Sequence, residues 1–329
     1  MTPEVSASSY PMIEYDARKW RRQILAFQGS VSPKIVFRLV LIAIWALGVV
    51  IVHRSFREIE VPPTGHALIG VALGLLLVFR TNASYDRYWE GRKAWERIAN
   101  DARNVVRSAR ALMSDDRAFL DPVVRWTVAF PYACMHRLRG ERTLGQAAAH
   151  FAPEEIKEVL EEDHVPLAVA TRLSRCVAES RLHGTFPERA VITIDNNIRS
   201  LVESIGACER IQDTPLPFAY VVHLRRALML FLLSLPFALV NPFGWATVIY
   251  TSLIAYVLLG IDEIGVEIEN PFGTDHNDLP LELICARIEQ NLLSILKQPP
   301  LAKPVPATPV ENVKAFPIPA RVSQPSVRN

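Results

Sequence analysis

The chain has 329 residues, of which 50% are hydrophobic and 21% charged, with a mean hydropathy of +0.16 and a formal net charge of +2. This composition is too apolar for a typical soluble protein and too charged for a bundle of membrane spans alone, so it predicts a protein that is part membrane and part aqueous. The near-zero net charge excludes a global field that would attract nucleic acid or an acidic substrate.

The N-terminal segment, residues 1–34, is polar and basic and lacks the apolar core of a signal peptide. The first apolar stretch follows at residues 35–52 and is broken only by Arg38, whose head can reach the interface near the end of a span. Because basic residues concentrate on the cytoplasmic side of membrane proteins, we expect the start of this span and the N-terminus to be cytoplasmic.

A second apolar stretch, residues 67–79, comes after a Pro-Pro turn and is short of the about 20 residues that a bilayer span needs. Basic residues follow it at once, so its end is also expected to be cytoplasmic: Arg80, Arg87, Arg92, Lys93 and Arg97. Residues 35–79 are therefore predicted to form a first membrane hairpin.

Two faces of the second stretch can be interpreted. Gly70 and Gly74 form a GxxxG pair that allows close approach, for example to a neighbouring subunit. Val71, Leu75 and Phe79 form a stripe of large apolar residues beside the glycines. Such a stripe can line a narrow pore that gates by dewetting, but periodicity alone favours packed or lipid-facing residues.

From residue 80 to residue 217 charged residues recur and apolar residues follow helical spacing, which predicts a helical cytosolic region. Its helices are expected at about 80–113, 119–138, 153–163, 165–180 and 188–211. Within it Arg189, at the start of a helix, reads by itself as an ordinary solvated charge. The four cysteines are too widely spaced for a disulfide framework or a zinc site and are predicted to be reduced, buried thiols: Cys134, Cys176, Cys208 and Cys285.

Residues 218–261 are predicted to form a second membrane hairpin, with apolar stretches at 227–240 and 245–261 around a turn. Arg225 and Arg226 lie at its entry and no basic residue lies in its turn, so it too opens to the cytoplasm. Short stretches also suit buried helices of a soluble protein. Four such stretches in two hairpins with one consistent charge bias favour the membrane.

Residues 262–298 are predicted to be a cytosolic loop and a last helix at about 279–296, and residues 299–329 a disordered, Pro-rich tail. In the loop, Asp275 and Asp278 can supply oxygens to a hard cation such as calcium. Asp278 also precedes the last helix, where an aspartate is a favoured N-cap, and we take capping as the default. The chain contains no phosphate-binding, nucleophile-elbow, zinc-protease or dinucleotide motif, so we expect no enzyme activity and no required cofactor.

Three segments closely resemble bacterial members of the bestrophin family: residues 79–92, 206–218 and 269–281. They occur in the family's order and at similar separations. The resemblance implies an all-α integral membrane protein with four transmembrane helices per subunit, a large helical cytosolic region and a homopentamer around a central pore. It also implies that Val71, Leu75 and Phe79 form a hydrophobic neck on the five-fold axis.

By counting back from Pro217, the family's second constriction, a cytosolic aperture, falls on Arg189, or on Glu188 or Ala190 if the register shifts by one. The family usually has a smaller or apolar residue there, and five arginines would attract anions. In animal members the carboxylates that match Asp275 and Asp278 help to hold calcium. The acidic run between them is reduced here to His276-Asn277.

The resemblance and the residues together predict a passive anion (chloride) channel in the bacterial inner membrane, with both termini cytoplasmic. Its expected partners are other copies of the chain, the lipid bilayer and the permeating inorganic ions, with no nucleic acid and with an unidentified partner for the tail. Two alternatives stay open: the same architecture conducting Na⁺ or K⁺, and a non-conducting membrane scaffold whose tail recruits another protein.

Overall fold

The structure is a computed structural model that describes residues 27, 29–55, 62–113, 116–180 and 188–297. The predictions about the basic N-terminal cluster and the Pro-rich tail lie outside these residues. The described part is all-helical and contains no strand, as predicted. Its helices are α1 (Ser32–Ser55), α2 (Pro63–Leu112), α3 (Arg117–Leu138), α4 (Pro153–Glu161), α5 (Val165–Ser180), α6 (Glu188–Asp213), α7 (Phe218–Phe243), α8 (Thr247–Glu267) and α9 (Leu281–Lys297).

Three helical stretches of the described part are long and apolar enough to cross a membrane: Ser32–Ser55, Pro63–Leu112 and Phe218–Glu267. The last comprises α7 and α8, which pack against each other. A short 3₁₀ turn, Gly244–Ala246, joins them. Gly244 has a φ of +52°, a left-handed conformation that favours glycine. The Thr247 hydroxyl fastens this turn by donating to the Leu239 carbonyl at 3.0 Å.

An apolar cluster joins α1, α2, α7 and α8. Its buried members include Ile35 on α1, Leu77 on α2, Leu232 on α7 and Leu259 on α8. The apolar stretches seen in the sequence at 67–79 and 227–240 are thus parts of longer helices. Each helix extends beyond its apolar stretch into polar sequence: α2 continues past Arg80, and α7 begins at Phe218, before Arg225 and Arg226.

The helix α2 is the main departure from the sequence prediction. The fall in hydropathy after Phe79 suggested a membrane stretch followed by a separate cytosolic helix from residue 80. The structure instead has one helix of 50 residues from Pro63 to Leu112. Arginine is a good helix former, so the charged residues that begin at Arg80 change the helix's surroundings without ending it.

The second core contains the buried faces of the lower half of α2 and of α3, α5, α6 and α9. Trp95, Phe130 and Leu201 are fully buried within it, together with Phe272 from the loop before α9. The starts and ends of α3, α5, α6 and α9 lie within two residues of the predicted ones. At the start of α3, Asp116 accepts the Ala118 N–H at 3.1 Å, which caps the helix.

Candidate functional site

The predicted neck residues lie on a face of α2 that the chain itself does not cover. Val71, Leu75 and Phe79 are 74%, 55% and 56% exposed, whereas Leu73 and Leu77, on the opposite face, are buried. On a helix that is apolar enough to cross a membrane, an uncovered row of large apolar side chains suits contact with lipid, a neighbouring subunit or a pore, and not a packed core of the single chain. The stripe is therefore not part of the core of the single chain, whereas its interpretation as lipid-facing stays open.

The two glycines of the GxxxG pair have different surroundings. A Cβ on Gly70 would lie 3.3 Å from Cζ of Phe231, so this glycine allows the ring of α7 in the same chain to approach. A Cβ on Gly74 would have no atom within 4 Å. Of the pair, Gly70 thus serves packing within the subunit, and Gly74 leaves the uncovered face of the helix open.

Directly after the neck, Arg80 fixes α2 to α8. Its side chain is 1% exposed and donates through Nη1 to the carboxylate of Asp262, itself buried. Arg225 lies 3.9 Å from the other oxygen of Asp262. About two turns further along the helix, Arg87 donates to the backbone carbonyls of Ile211, Thr214 and Glu269. The charged segment after the neck is thus a set of anchors.

Sequence analysis missed these anchors and used the same arginines only as indicators of topology. The signal that points to them is the position of Arg80 and Arg87 inside the first bestrophin-like segment. Asp262 also stands at the end of an apolar stretch, where an unpaired carboxylate is costly.

Arg189, the predicted aperture residue, lies in the first turn of α6 and is exposed. Glu188 is exposed as well, whereas Ala190 is 5% exposed and points into the core. Arg189 forms no ion pair with Glu188 or with any other described residue. Of the three register alternatives, Arg189 and Glu188 are thus exposed on the single chain and Ala190 is buried, and Arg189 has no acidic partner among the described residues.

The loop that carries Asp275 and Asp278 is closed by Asp278. Its Oδ2 accepts the Asp275 N–H at 2.7 Å, and a Cβ on Gly273 would lie 2.6 Å from the same oxygen. Burial raises the pKa of Asp278 to about 6, although the hydrogen bond from the Asp275 backbone opposes this. Because Asp278 bonds backward into the loop and α9 begins only at Leu281, the N-cap interpretation is wrong.

The positive charge beside Asp275 is the side-chain ammonium group of Lys34. Nζ of Lys34, on α1, lies 2.8 Å from Oε1 of Glu267 and 3.3 Å from Oδ2 of Asp275. Asn277 adds a hydrogen bond of 2.7 Å to the other oxygen of Glu267 and one of 3.1 Å to the Gly29 carbonyl. These contacts fasten the loop to the ends of α1 and α8, and sequence analysis missed both Lys34 and Glu267 as its partners.

This arrangement does not fit calcium. Calcium takes six to eight oxygen ligands, and the described residues contain no cluster of three or more His, Cys, Asp or Glu side chains placed to hold a metal. The Lys34 ammonium already pairs with Asp275, one of the two carboxylates predicted to hold calcium, and with Glu267. The positive charge in the loop as folded is supplied by the ammonium group of Lys34.

Cys134, Cys208 and Cys285 are buried, as predicted, and Cys176 is partly exposed; none of the four forms a disulfide. Burial raises the thiol pKa of Cys208 to about 12 and of Cys176 to about 11, and that of Cys134 and Cys285 well above the usual value. Thiols with such raised pKa values are poor nucleophiles, so they have packing roles.

Comparison with known proteins gives a consistent result. Residues 12–294 match the family model described as Bacterial/Fungal Bestrophin protein. A voltage-dependent anion channel-forming protein of Ralstonia nicotianae is 37% identical over 86% of this chain and 94% of its own length. One of Escherichia coli K12 is 31% identical over the same shares. A crystal structure of a bacterial bestrophin homologue from Klebsiella pneumoniae, carrying one substitution, superposes with a TM-score of 0.76, 31% identity and coverage of 80% of this chain and 100% of that chain.

Proposed function

Because this chain belongs to the family of bacterial and fungal bestrophins, we propose that it is one subunit of a homopentameric channel that passes chloride passively across the bacterial inner membrane. Relatives that match over 94% of their own length are named as anion channel-forming proteins. The ions would move down their electrochemical gradient, so the mechanism needs no turnover chemistry and no organic cofactor.

The observation that carries this proposal is the uncovered row of Val71, Leu75 and Phe79 on α2. Five copies of α2 around an axis would place these side chains as three stacked apolar rings. Rings of this kind hold water weakly when the opening is narrow, and they gate by dewetting. The buried ion pair of Arg80 with Asp262 would hold the lower end of the neck in place.

A second ring would lie at the cytosolic exit, formed by Arg189. Its guanidinium stays protonated in essentially any protein setting, so five copies give a fixed positive charge. Because Arg189 has no acidic partner among the described residues, this charge remains available to a passing anion. The ring would favour chloride over sodium or potassium at the exit.

The test is recording from the purified protein in planar bilayers under a steep salt gradient, with the parent and Arg189→Ala compared. An anion-selective reversal potential in the parent, reduced in the variant, is the expected result. Arg199→Ala, an exposed arginine of the same helix paired with Glu203, is the matched control and should behave like the parent. A parent that prefers cations would overturn the anion assignment, and a parent without current would favour the scaffold alternative.

A further inference from the structure

Along its whole length, α2 has one covered and one uncovered face. Its buried residues recur every three or four positions, except for one step of seven after Ser84, from the apolar part of the helix to its far end: Leu73, Leu77, Arg80, Ser84, Gly91, Trp95, Ile98, Ala102, Val105 and Ala109. The same buried face therefore packs first against α7 and α8 and then against α6 and α9. The face of α2 that is buried in its apolar part is therefore also the face that is buried in its polar part.

The uncovered face continues in the same way. Eighteen residues make five turns of an α-helix, so residues 18 apart lie on one line, about 27 Å apart. Trp89, Lys93 and Arg97 stand 18 residues after Val71, Leu75 and Phe79, and all three are exposed. The chain thus repeats the geometry of its apolar stripe with an aromatic and two basic side chains.

We infer that this lower row, Trp89, Lys93 and Arg97, continues the wall of the ion path into the cytosolic region, with Lys93 as a further selectivity-determining residue. The inference rests on the proposed function, because it assumes that Val71, Leu75 and Phe79 face the axis. It adds residues that the apolar neck and Arg189 do not include.

The surroundings of Lys93 leave its charge open to the path. Its Nζ lies 5.7 Å from the centroid of the Trp89 ring, within the range of a cation–π contact, and it forms no ion pair with another described residue. Five copies would place a ring of ammonium groups five turns below Leu75. Such a ring raises the local concentration of anions.

Acidic groups on this side of the helix oppose that effect. Asp86 is exposed about two turns above Lys93, and Glu96 is exposed beside Arg97 at the edge of the row. Glu90 is paired with Arg210 at 3.2 Å. The path would therefore pass a carboxylate level at Asp86 before the basic levels at Lys93 and Arg97, and single charge removals at these levels have opposite expected signs.

This sign difference defines the experiment. The chloride-to-sodium permeability ratio of the purified channel is measured in planar bilayers for the parent, Lys93→Gln, Arg97→Gln and Asp86→Asn. We expect Lys93→Gln and Arg97→Gln to lower the ratio by roughly twofold or more and Asp86→Asn to raise it, since each removes one fixed charge per subunit from the path. Lys157→Gln, an exposed lysine on α4, is the matched control and leaves the ratio unchanged.

Lys93→Gln and Arg97→Gln are both measured. If one of them fails to assemble, the other still tests the inference. A parent that conducts anions, with ratios unchanged in all variants, overturns the lower row while the proposed function stands. A parent that prefers cations overturns the proposed function, and opposite shifts in Lys93→Gln and Asp86→Asn would then still support the row as pore wall. A parent without current overturns both.

Discussion

The buried ion pair of Arg80 and Asp262 shows, at the level of single residues, how α2 is held against α8 directly after its apolar row. The two side chains are 182 residues apart in sequence and 1% and 3% exposed. Withdrawing two charges from water is costly, and only their close pairing and the nearby Arg225 offset that cost. Removing one partner leaves the other charge buried without compensation.

Asp262→Asn is therefore expected to destabilise the protein by about 3–5 kcal/mol, the typical cost of breaking a buried pair from one side. The double variant Arg80→Met with Asp262→Leu removes both charges and should recover most of the loss. The unfolding midpoint of the detergent-purified protein measures this, with Asp195→Asn, an exposed aspartate of α6, as the control. A parent-like midpoint for Asp262→Asn would contradict the role given to the pair.

Residue pairing is the part of the site that sequence could not supply. Helical periodicity relates residues three or four apart, so it found the stripe of Val71, Leu75 and Phe79. It carries no information about which charges meet across the fold. Arg80 was used only as an indicator of topology, and Asp262, Lys34 and Glu267 were not singled out. Only packing brings Arg80 to Asp262 and Lys34 to Glu267.

At the scale of whole elements, the apolar row on α2 makes the sharpest prediction. Replacing Val71, Leu75 and Phe79 together by alanine should let water persist in the neck, because three apolar rings disappear. Macroscopic currents should rise and any gating should weaken. Val36, Val40 and Ile44 on α1 are also exposed at four-residue spacing, so their triple alanine variant is a matched control. If the α2 variant conducts and gates like the parent, the row is an ordinary packing surface.

The loop between α8 and α9 makes a second prediction at this scale. Because the Lys34 ammonium already joins Glu267 and Asp275, the parent should show no saturable calcium binding by isothermal titration. Lys34→Met leaves the buried Glu267 carboxylate without its cation and should lower the unfolding midpoint, and added calcium should restore part of the loss. Calcium binding by the parent that Asp275→Ala abolishes would reverse this conclusion.

The positions of the amphipathic helices were the part of the fold that the sequence predicted best. Amphipathic spacing located α3, α5, α6 and α9 within two residues, because burial of one face is what stabilises such helices. The predicted helix boundaries were wrong where hydropathy or a capping residue suggested a boundary that the backbone does not have. Hydropathy falls at Arg80 although the helix continues, and the expected helix start after Asp278 moved because its carboxylate closes the preceding turn.

For the molecule as a whole, we predict that both termini face the cytoplasm. Cysteines introduced at Thr2 and Asn329 should react with a membrane-impermeant thiol reagent only after the cells are permeabilised. Asn241→Cys, exposed in the last turn of α7 just before the connection to α8, should react in intact cells. The burial of Cys134, Cys208 and Cys285 keeps the background low. Labelling of either terminus from outside would overturn the topology.

The way in which subunits assemble cannot be predicted from local sequence patterns. An exposed apolar row suits lipid, a neighbouring subunit or a pore equally well, because hydrophobic burial has no direction. The expectation of a pentamer came from the three bestrophin-like segments alone, and the fold adds the uncovered face that such an assembly would use.

The uninterrupted length of α2 also has a mechanical consequence. At 1.5 Å per residue its 50 residues form a rod of about 75 Å, and the Arg80 anchor divides it into a short upper arm and a long lower arm. A tilt of about 5° around that anchor would move Val71, about 13 Å above it, by about 1 Å. Five such levers moving together would change the neck diameter by about 2 Å, which is comparable to the size of a water molecule. In the proposed channel, a displacement of the second core, which packs on the lower arm, would thus reach the apolar row as rigid-body motion, without any hinge inside the helix.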